Sequence, residues 1–519
     1  MRARPAGRAL RAVALVLLAT AFLAPAARAS RVAVVVVKPF APAVYADRGG
    51  VGLLVPGAGS TVTREGALSS LVRGKVVSSL LGGKASGAPL IRLSRRPAAV
   101  TIYVSLPPPG RSHNTRRYPI AIVGGGYRGL LASRTTRIPG LVSIADVAPT
   151  AVALAQGTKP RIRTRTDKNA PRTLARLDER LRRSHDTRTA ATIILVAVTL
   201  VLAGVGLILR STLLARAGLL AIPSALFVAL ALSAADVSRV GPATAVLATG
   251  TVVLAIAAGV RRAFLLPALI GFLVAFLVVL AVWPDVNVLS VIGPHPDGGG
   301  RYFGVTNQVE TLLLAPILAA AALVPRAWFL PLGALALALV GWSRAGADGG
   351  GIVVVLVSLG VLWVVRERRR VTAARVALAA VTVVAVALAL VGLDALTGGS
   401  SHVTDAVGGG PGSLLRDLGH RLRISWEGVT ATTQATVAAA ATFCALLGVG
   451  LSRPRIAVVD ALLAGLIASL LVNDTPTDVL AYGALAVAAL GAWAIVDVET
   501  RPRSGEVAFL RALRELPGR

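Results

Sequence analysis

Cysteine is almost absent. Cys444 is the one thiol in 519 residues, and it lies inside an apolar run. That excludes an intrachain disulfide, a Cys-x-x-Cys pair and any site built from several thiolates, so Cys444 reads as a packing residue. Charge is scarce too. Only 15% of residues are Asp, Glu, Lys or Arg, where a soluble domain carries about a quarter. Acids are the scarcer sign: 24 against 55 basic residues, a formal net charge of +31, with only five of the basic residues lysine. What the chain has instead is long apolar runs. It is 55% hydrophobic with a mean hydropathy of +0.73, which places it among polytopic membrane proteins.

Residues 1–29 have a basic start (Arg2, Arg4, Arg8, Arg11), an apolar run from Val13 to Leu23, and a small-x-small site at Ala27-Arg28-Ala29. This is the three-part pattern of a secretory signal, or of an uncleaved signal anchor. Either form puts the following region outside the cytoplasm. Residues 30–157 then read as an α/β domain. RVAVVVVKPF, AVTIYVSL (99–106) and YPIAIVGGG (118–126) have the β-branched character of strands, and Gly-rich turns separate them. Gly124-Gly125-Gly126 is followed by Arg134 and Pro139, not by a helical pattern. It therefore reads as a turn, not a phosphate cradle.

A resemblance rests on this region. YPIAIVGGGYRGLLASRTTRIPGLVSIADVAPTAVALAQG resembles the closing segment of the alkaline phosphatase/sulfatase superfamily, through Thr136-Arg137-Ile138-Pro139-Gly140-Leu141-Val142 and then Asp146, Ala148, Pro149 and Thr150. VYADRGGVGLLVPGAGSTVTREGAL resembles the opening strand of a shortened version. The resemblance implies a nucleophile beside metal held by Asp and His. Residues 30–157 hold one histidine, His113, and three acids, Asp47, Glu65 and Asp146, too few for two divalent cations. The expectation is a degenerate, non-catalytic relative of that superfamily.

Residues 158–187 form a basic linker. Leu174, Leu177 and Leu181 have helical spacing, with Asp178–Arg182 and Glu179–Arg183 as i,i+4 pairs. A basic helix running into the first span is predicted. Residues 30–187 carry 26 Lys and Arg against 7 Asp and Glu. A basic domain beside a membrane suits anionic lipid headgroups or anionic envelope polymer. Nucleic acid is a poor partner, since no aromatics interleave with the basic residues.

From 188 to 497 apolar runs alternate with short loops. A span needs about 20 apolar residues, which places spans near 189–209, 217–235, 241–260, 263–283, 308–325, 327–342, 352–366, 374–393, 430–451, 456–472 and 477–496. The expected fold is a polytopic α-helical membrane bundle of about eleven spans after the signal segment, with an N-terminal extracytoplasmic α/β domain. With 30–187 outside, the cytoplasmic loops hold Arg210, Arg216, Arg261, Arg262, Arg326, Arg366, Arg368 to Arg370, Arg375, Arg453 and Arg455. This bias agrees with the positive-inside rule. Residues 498–519 become a cytoplasmic tail, in which EVAFLRALREL reads as a short interfacial helix.

The same topology puts every unusual loop on the outer side: 284–307, 343–351, 394–429 and 473–478. GPHPDGGGRYFGVTNQVE (293–310) holds six polar or charged candidates, His295, Asp297, Arg301, Tyr302, Asn307 and Glu310. Polar groups beside lipid need partners or a function. Arg301 could meet a phosphate or carboxylate with its planar fork. Asn307 and Glu310 are three apart and share a helix face. Asp348 suits a helix N-cap, as does Asp478, and Asn473 and Asp474 end a span. The predicted site has Arg301, Glu310 and Asp474 as catalytic groups, and Tyr302, Asn307, Asp348 and Asn473 as substrate-binding groups. His295, Asp297, Asp348 and Asp474 have ligand types that suit Mg²⁺ or Mn²⁺. No spacing rule joins them, so no metal is assigned and no cofactor is named. His402 and Asp405, and an amphipathic stretch around Arg416, His420, Arg421 and Arg423, complete the polar outer loops.

A second resemblance rests on RYFGVTNQVE, SRAGADGGG and LLVNDTPTDV. These are similar to the loops of a family of bacterial multi-pass membrane proteins that join a degenerate phosphatase-like outer domain to a polytopic region. Their loops take the forms "ARYYGIGNE", "GADVGG" and "NDSG". This chain departs in having Gln308 and Val309 between Asn307 and Glu310, and Thr475-Pro476 after Asp474. The resemblance implies no activity. From the residues, three functions stay open. One is an inner-membrane envelope enzyme acting on a lipid-linked glycan or phosphopolymer. Another is a non-catalytic scaffold binding anionic polymer. The third is a transporter of a lipid-linked substrate, against which the almost wholly apolar cytoplasmic half of the spans counts.

Overall fold

The computed structural model describes residues 32–59, 61–76, 85, 87–294, 296, 302–367, 419, 423, 425–430, 432–473 and 475–499. The signal segment, the 374–393 run, His402, Asp405, Arg416, His420, Arg421 and the C-terminal tail lie outside them. The architecture is an N-terminal α/β layer on one end of a helical bundle.

The three β-branched runs become β1 (Val32–Val37), β4 (Val100–Ser105) and β6 (Tyr118–Val123). They join β2 (Gly49–Val55), β7 (Gly129–Ser133), β8 (Leu141–Ser143) and β9 (Ile162–Arg165) in a seven-stranded mixed sheet. The order is β1-β4-β6-β2-β7-β9, with β8 also pairing β2. β1 runs parallel to β4, and β6 is antiparallel to both its neighbours. β3 (Thr61–Thr63) and β5 (Arg111–His113) form a separate ribbon. The sheet thus extends past residue 157: the edge strand β9 comes from the basic linker. All three residues of the Gly124–Gly126 turn have positive φ, a conformation open to glycine without a Cβ penalty.

Side-chain alternation divides the sheet into two apolar faces. Leu54, Ile102, Ile120, Ile122, Leu131 and Val142 face helices α1 (Arg64–Arg73) and α2 (Val147–Ala155). Val51, Leu53, Ala121, Leu130 and Leu141 face the other way. Their cover comes from the helical half: Leu174 and Leu181 of α3 (Ala170–Ile208), with Val288, Leu289 and Tyr302. The α/β region therefore owns one layer of cover and borrows the other.

Helix α3 has 39 residues, about 58 Å at 1.5 Å per residue, well beyond the ~30 Å of a bilayer core. Its first half is polar and lies against the sheet; its second half is apolar. Glu179 pairs with Arg183 at 2.7 Å, as its spacing predicts. Asp178 instead accepts from Arg117 at 2.5 Å, because a partner on the sheet domain lies nearer than Arg182. Arg180 binds Asp236 at 3.1 Å and Thr187 donates to the Ser238 carbonyl at 2.8 Å, which ties α3 to the next interhelical turn.

The bundle continues with α4 (Thr212–Ala234), α5 (Val240–Gly259), α6 (Arg262–Val282), α7 (Pro284–Val288), α8 (Asn307–Leu323), α9 (Phe329–Gly341), α10 (Gly349–Arg366), α11 (Thr433–Leu451), α12 (Ala457–Val472) and α13 (Pro476–Glu499). Seven helices among the described residues are long and apolar enough to cross a membrane: α3, α4, α5, α6, α10, α11 and α13. Helices α8, α9 and α12 are shorter apolar helices. Helix α8 is central. Every residue from Val309 to Ala321 is buried, and it packs on α4, α6, α9, α10, α12 and α13. Cys444 is exposed on α11, the least covered of the seven membrane-crossing candidates among the described residues, so it does not pack in the core as its apolar neighbours suggested.

Candidate functional site

The N-termini of α8, α10 and α13 and the C-terminus of α12 meet at the end of the bundle that carries the α/β layer. Thr306 opens α8: it is extended and its hydroxyl accepts from the Val309 amide at 3.3 Å. This cap fixes the first turn and aims Asn307, Gln308 and Glu310 at the turn between α12 and α13. Asn307 donates to Thr475 Oγ1 at 3.0 Å, and Gln308 donates to Asp478 Oδ2 at 3.0 Å. Asn473 Nδ2 donates to Glu310 Oε2 at 3.0 Å and to Ser469 Oγ at 2.7 Å. Asn307 and Glu310 do serve one face, as their spacing predicts. Gln308 and Thr475, two of the departures from the resembling loop pattern, both fall within this set of bonds.

Asp348 stands at the N-cap of α10, but its side chain makes no capping bond. It turns inward instead. A Cβ added at Gly351 would lie 3.3 Å from both Asp348 Cγ and Glu310 Cδ. A Cβ at Gly350 would lie 2.8 Å from Asn473 Oδ1 and 3.6 Å from Asp348 Oδ1. The glycine pair after Asp348 thus lets two carboxylates and an amide from three helices come together. All three are shut from solvent, with exposures of 0% for Glu310, 3% for Asp348 and 4% for Asn473.

Two loops roof this cluster, and they are bonded to each other. Val305 N donates to the Gly346 carbonyl at 2.8 Å, and Asn287 Nδ2 to the Gly304 carbonyl at 2.8 Å. The Asp348 amide donates to the Val340 carbonyl at 3.0 Å. Tyr302 stands apart from the cluster. It is buried against the second face of the sheet, where it serves the domain contact. Burial pushes its phenol well above the ordinary value.

No family model, curated protein or solved structure matches this chain.

Of the seven predicted site residues, Glu310, Asp348 and Asn473 converge and Asn307 lies one bond away on the same turn. Arg301 and Asp474 lie outside the described residues, as do His295 and Asp297. No group of three or more His, Cys, Asp or Glu is placed to hold a metal among the described residues. Sequence reasoning missed Ser469, Asn287 and Gln308. Ser469 carries a usable signal, lying one helical turn before Asn473. Asn287 carries none, since its partner is a backbone carbonyl in a distant loop.

Proposed function

We propose that this chain is a multi-pass inner-membrane protein of the bacterial cell envelope that acts on a lipid-linked glycan, with Glu310 and Asp348 as its acid–base pair. One observation carries the reading. Three buried polar side chains from separate helices gather around Gly350 and Gly351, with Asn473 bonded to Glu310, where polar burial costs several kcal/mol. Paired carboxylates suit proton traffic at hydroxyl and glycosidic oxygens. In this reading Glu310, which accepts from Asn473, takes a proton from an acceptor hydroxyl, and Asp348 returns one to the departing oxygen. Arg301, read from the sequence alone, remains the candidate for a lipid phosphate. Arg216, Arg262, Arg326, Arg366 and Arg455 lie at helix ends away from the α/β layer, which supports an extracytoplasmic site under the positive-inside rule.

The test is complementation of a deletion strain by Glu310→Gln and Asp348→Asn at normal protein levels. Both isosteres keep shape and lose proton chemistry. Each should reproduce the deletion phenotype and let a lipid-linked glycan accumulate in extracted lipids. Wild-type behaviour of both would remove the acid–base reading. A second reading, a scaffold that binds anionic envelope polymer through the α/β region, draws on how completely that region is built into the bundle. It predicts silent isosteres and loss of function when exposed arginines such as Arg163 and Arg165 on β9 are neutralised.

A further inference from the structure

The acid cluster is buried, and parting the two loops over it would open it to a substrate. Arg137 touches both loops from outside the bundle. It belongs to the α/β region, in the turn between β7 and β8, and holds φ at +58°. Its guanidinium carbon lies 3.6 Å over the Phe303 ring centroid, and its Nη1 donates to the Ser343 carbonyl at 2.9 Å. Phe303 lies three residues before the Thr306 cap that aims Glu310, and Ser343 begins the turn that ends at Asp348. The two loops cross through the Val305–Gly346 bond.

We infer that Arg137 is a positioning residue: it latches the loops of Glu310 and Asp348 to the α/β region and so sets how often the acid pair opens. This rests on the reading of Glu310 and Asp348 as the working pair. The geometry suits a latch better than a permanent tie. Arg137 is exposed, and a guanidinium held at the surface by ring stacking and hydrogen bonding is a weaker contact than a buried one. An incoming phosphate or carboxylate would offer the guanidinium charged oxygens that compete with the Ser343 carbonyl. The guanidinium plane, not charge alone, holds the ring and the carbonyl together, so lysine is a poor substitute.

The test uses the full chain in lipid nanodiscs, with hydrogen exchange read by peptide. Asparagine tolerates the left-handed backbone at this position, so Arg137→Asn removes the latch with little added strain. Exchange at Val305 and Asp348 should rise about tenfold, the population change that ~1.4 kcal/mol corresponds to, while β2, β6 and α4 exchange as in wild type. Carbodiimide labelling of Glu310 should rise with it, and Arg137→Lys should restore little of the protection. Unchanged protection at Val305 and Asp348 would overturn the inference. So would an equal rise across the whole sheet, which would mark simple destabilisation. If Arg137→Asn loosens the loops but Glu310→Gln and Asp348→Asn complement fully, the latch stands and the acid–base reading falls.

Discussion

Gly346→Ala should abolish the native domain end of the bundle, at a cost above about 4 kcal/mol. The added Cβ would lie 2.1 Å from the Val340 carbonyl oxygen, 2.4 Å from the Leu339 carbonyl oxygen and 2.5 Å from the Val340 carbonyl carbon. All three are backbone atoms of the last turns of α9, so no rotamer change relieves the contact. Overpacking that side chains can absorb costs about 1–3 kcal/mol; a backbone obstruction exceeds that range. The loop cannot retreat either. Its other side is Gly304, held at φ +83°, whose own Cβ would meet the Gly346 oxygen at 2.0 Å. The control is Gly360→Ala in α10, where an added Cβ meets nothing within 4 Å. There helix propensity favours alanine by up to about 1 kcal/mol. Thermal unfolding of both variants in the same detergent should give a large fall for Gly346→Ala and none for Gly360→Ala. Equal midpoints would mean that the crossing of 302–306 with 342–348 is not as tight as described, and the closed site with it.

That crossing shows where sequence reading stops. Several helices were legible because they are apolar runs bounded by Arg, Pro or Gly. The predicted 241–260 and 263–283 became Val240–Gly259 and Arg262–Val282. Glu310 and Asn307 were legible through their three-residue spacing, and Asp348 through its place before a glycine-rich helix start. What the sequence does not carry is which loops meet. Asp348 was read as an N-cap, and its position is one, but its side chain turns to Glu310 because Gly350 and Gly351 leave room. Strand β9 was hidden because IRTR has one apolar residue, and an edge strand with exposed arginines needs no more. Tyr302 was read with the polar run it stands in. Its burial depends on a sheet face formed more than 130 residues earlier, from Val51 to Leu141. The second face of that sheet explains the arrangement: an α/β region that borrows its cover from loops of the bundle must also position those loops.

At the far end of the bundle, Arg216→Met should destabilise the protein by about 3–5 kcal/mol, while Arg216→Met combined with Asp497→Leu should cost far less. Arg216 Nη2 and Nε donate to Asp497 Oδ1 at 2.7 and 3.3 Å, and the side chains are 11% and 3% exposed. Each residue is poorly placed alone. Arg216 lies near the N-terminus of α4, where the helix dipole disfavours a cation, and Asp497 lies near the C-terminus of α13, where it disfavours an anion. The pair joins the two most covered of the membrane-crossing candidates, 78% and 72% buried over their apolar windows. Removing Arg216 leaves the Asp497 carboxylate buried without its guanidinium and with the dipole against it; removing both takes away the attraction and the desolvation cost together. A double-mutant cycle on unfolding midpoints separates the two cases. A coupling of about 2 kcal/mol or more is expected. Additive single effects would show that water reaches the pair and that the far end of α4 and α13 is open. Because Glu310 sits at the opposite end of the bundle, this lock should move stability without moving the exchange of Val305 or Asp348, which makes it the control for the latch at Arg137.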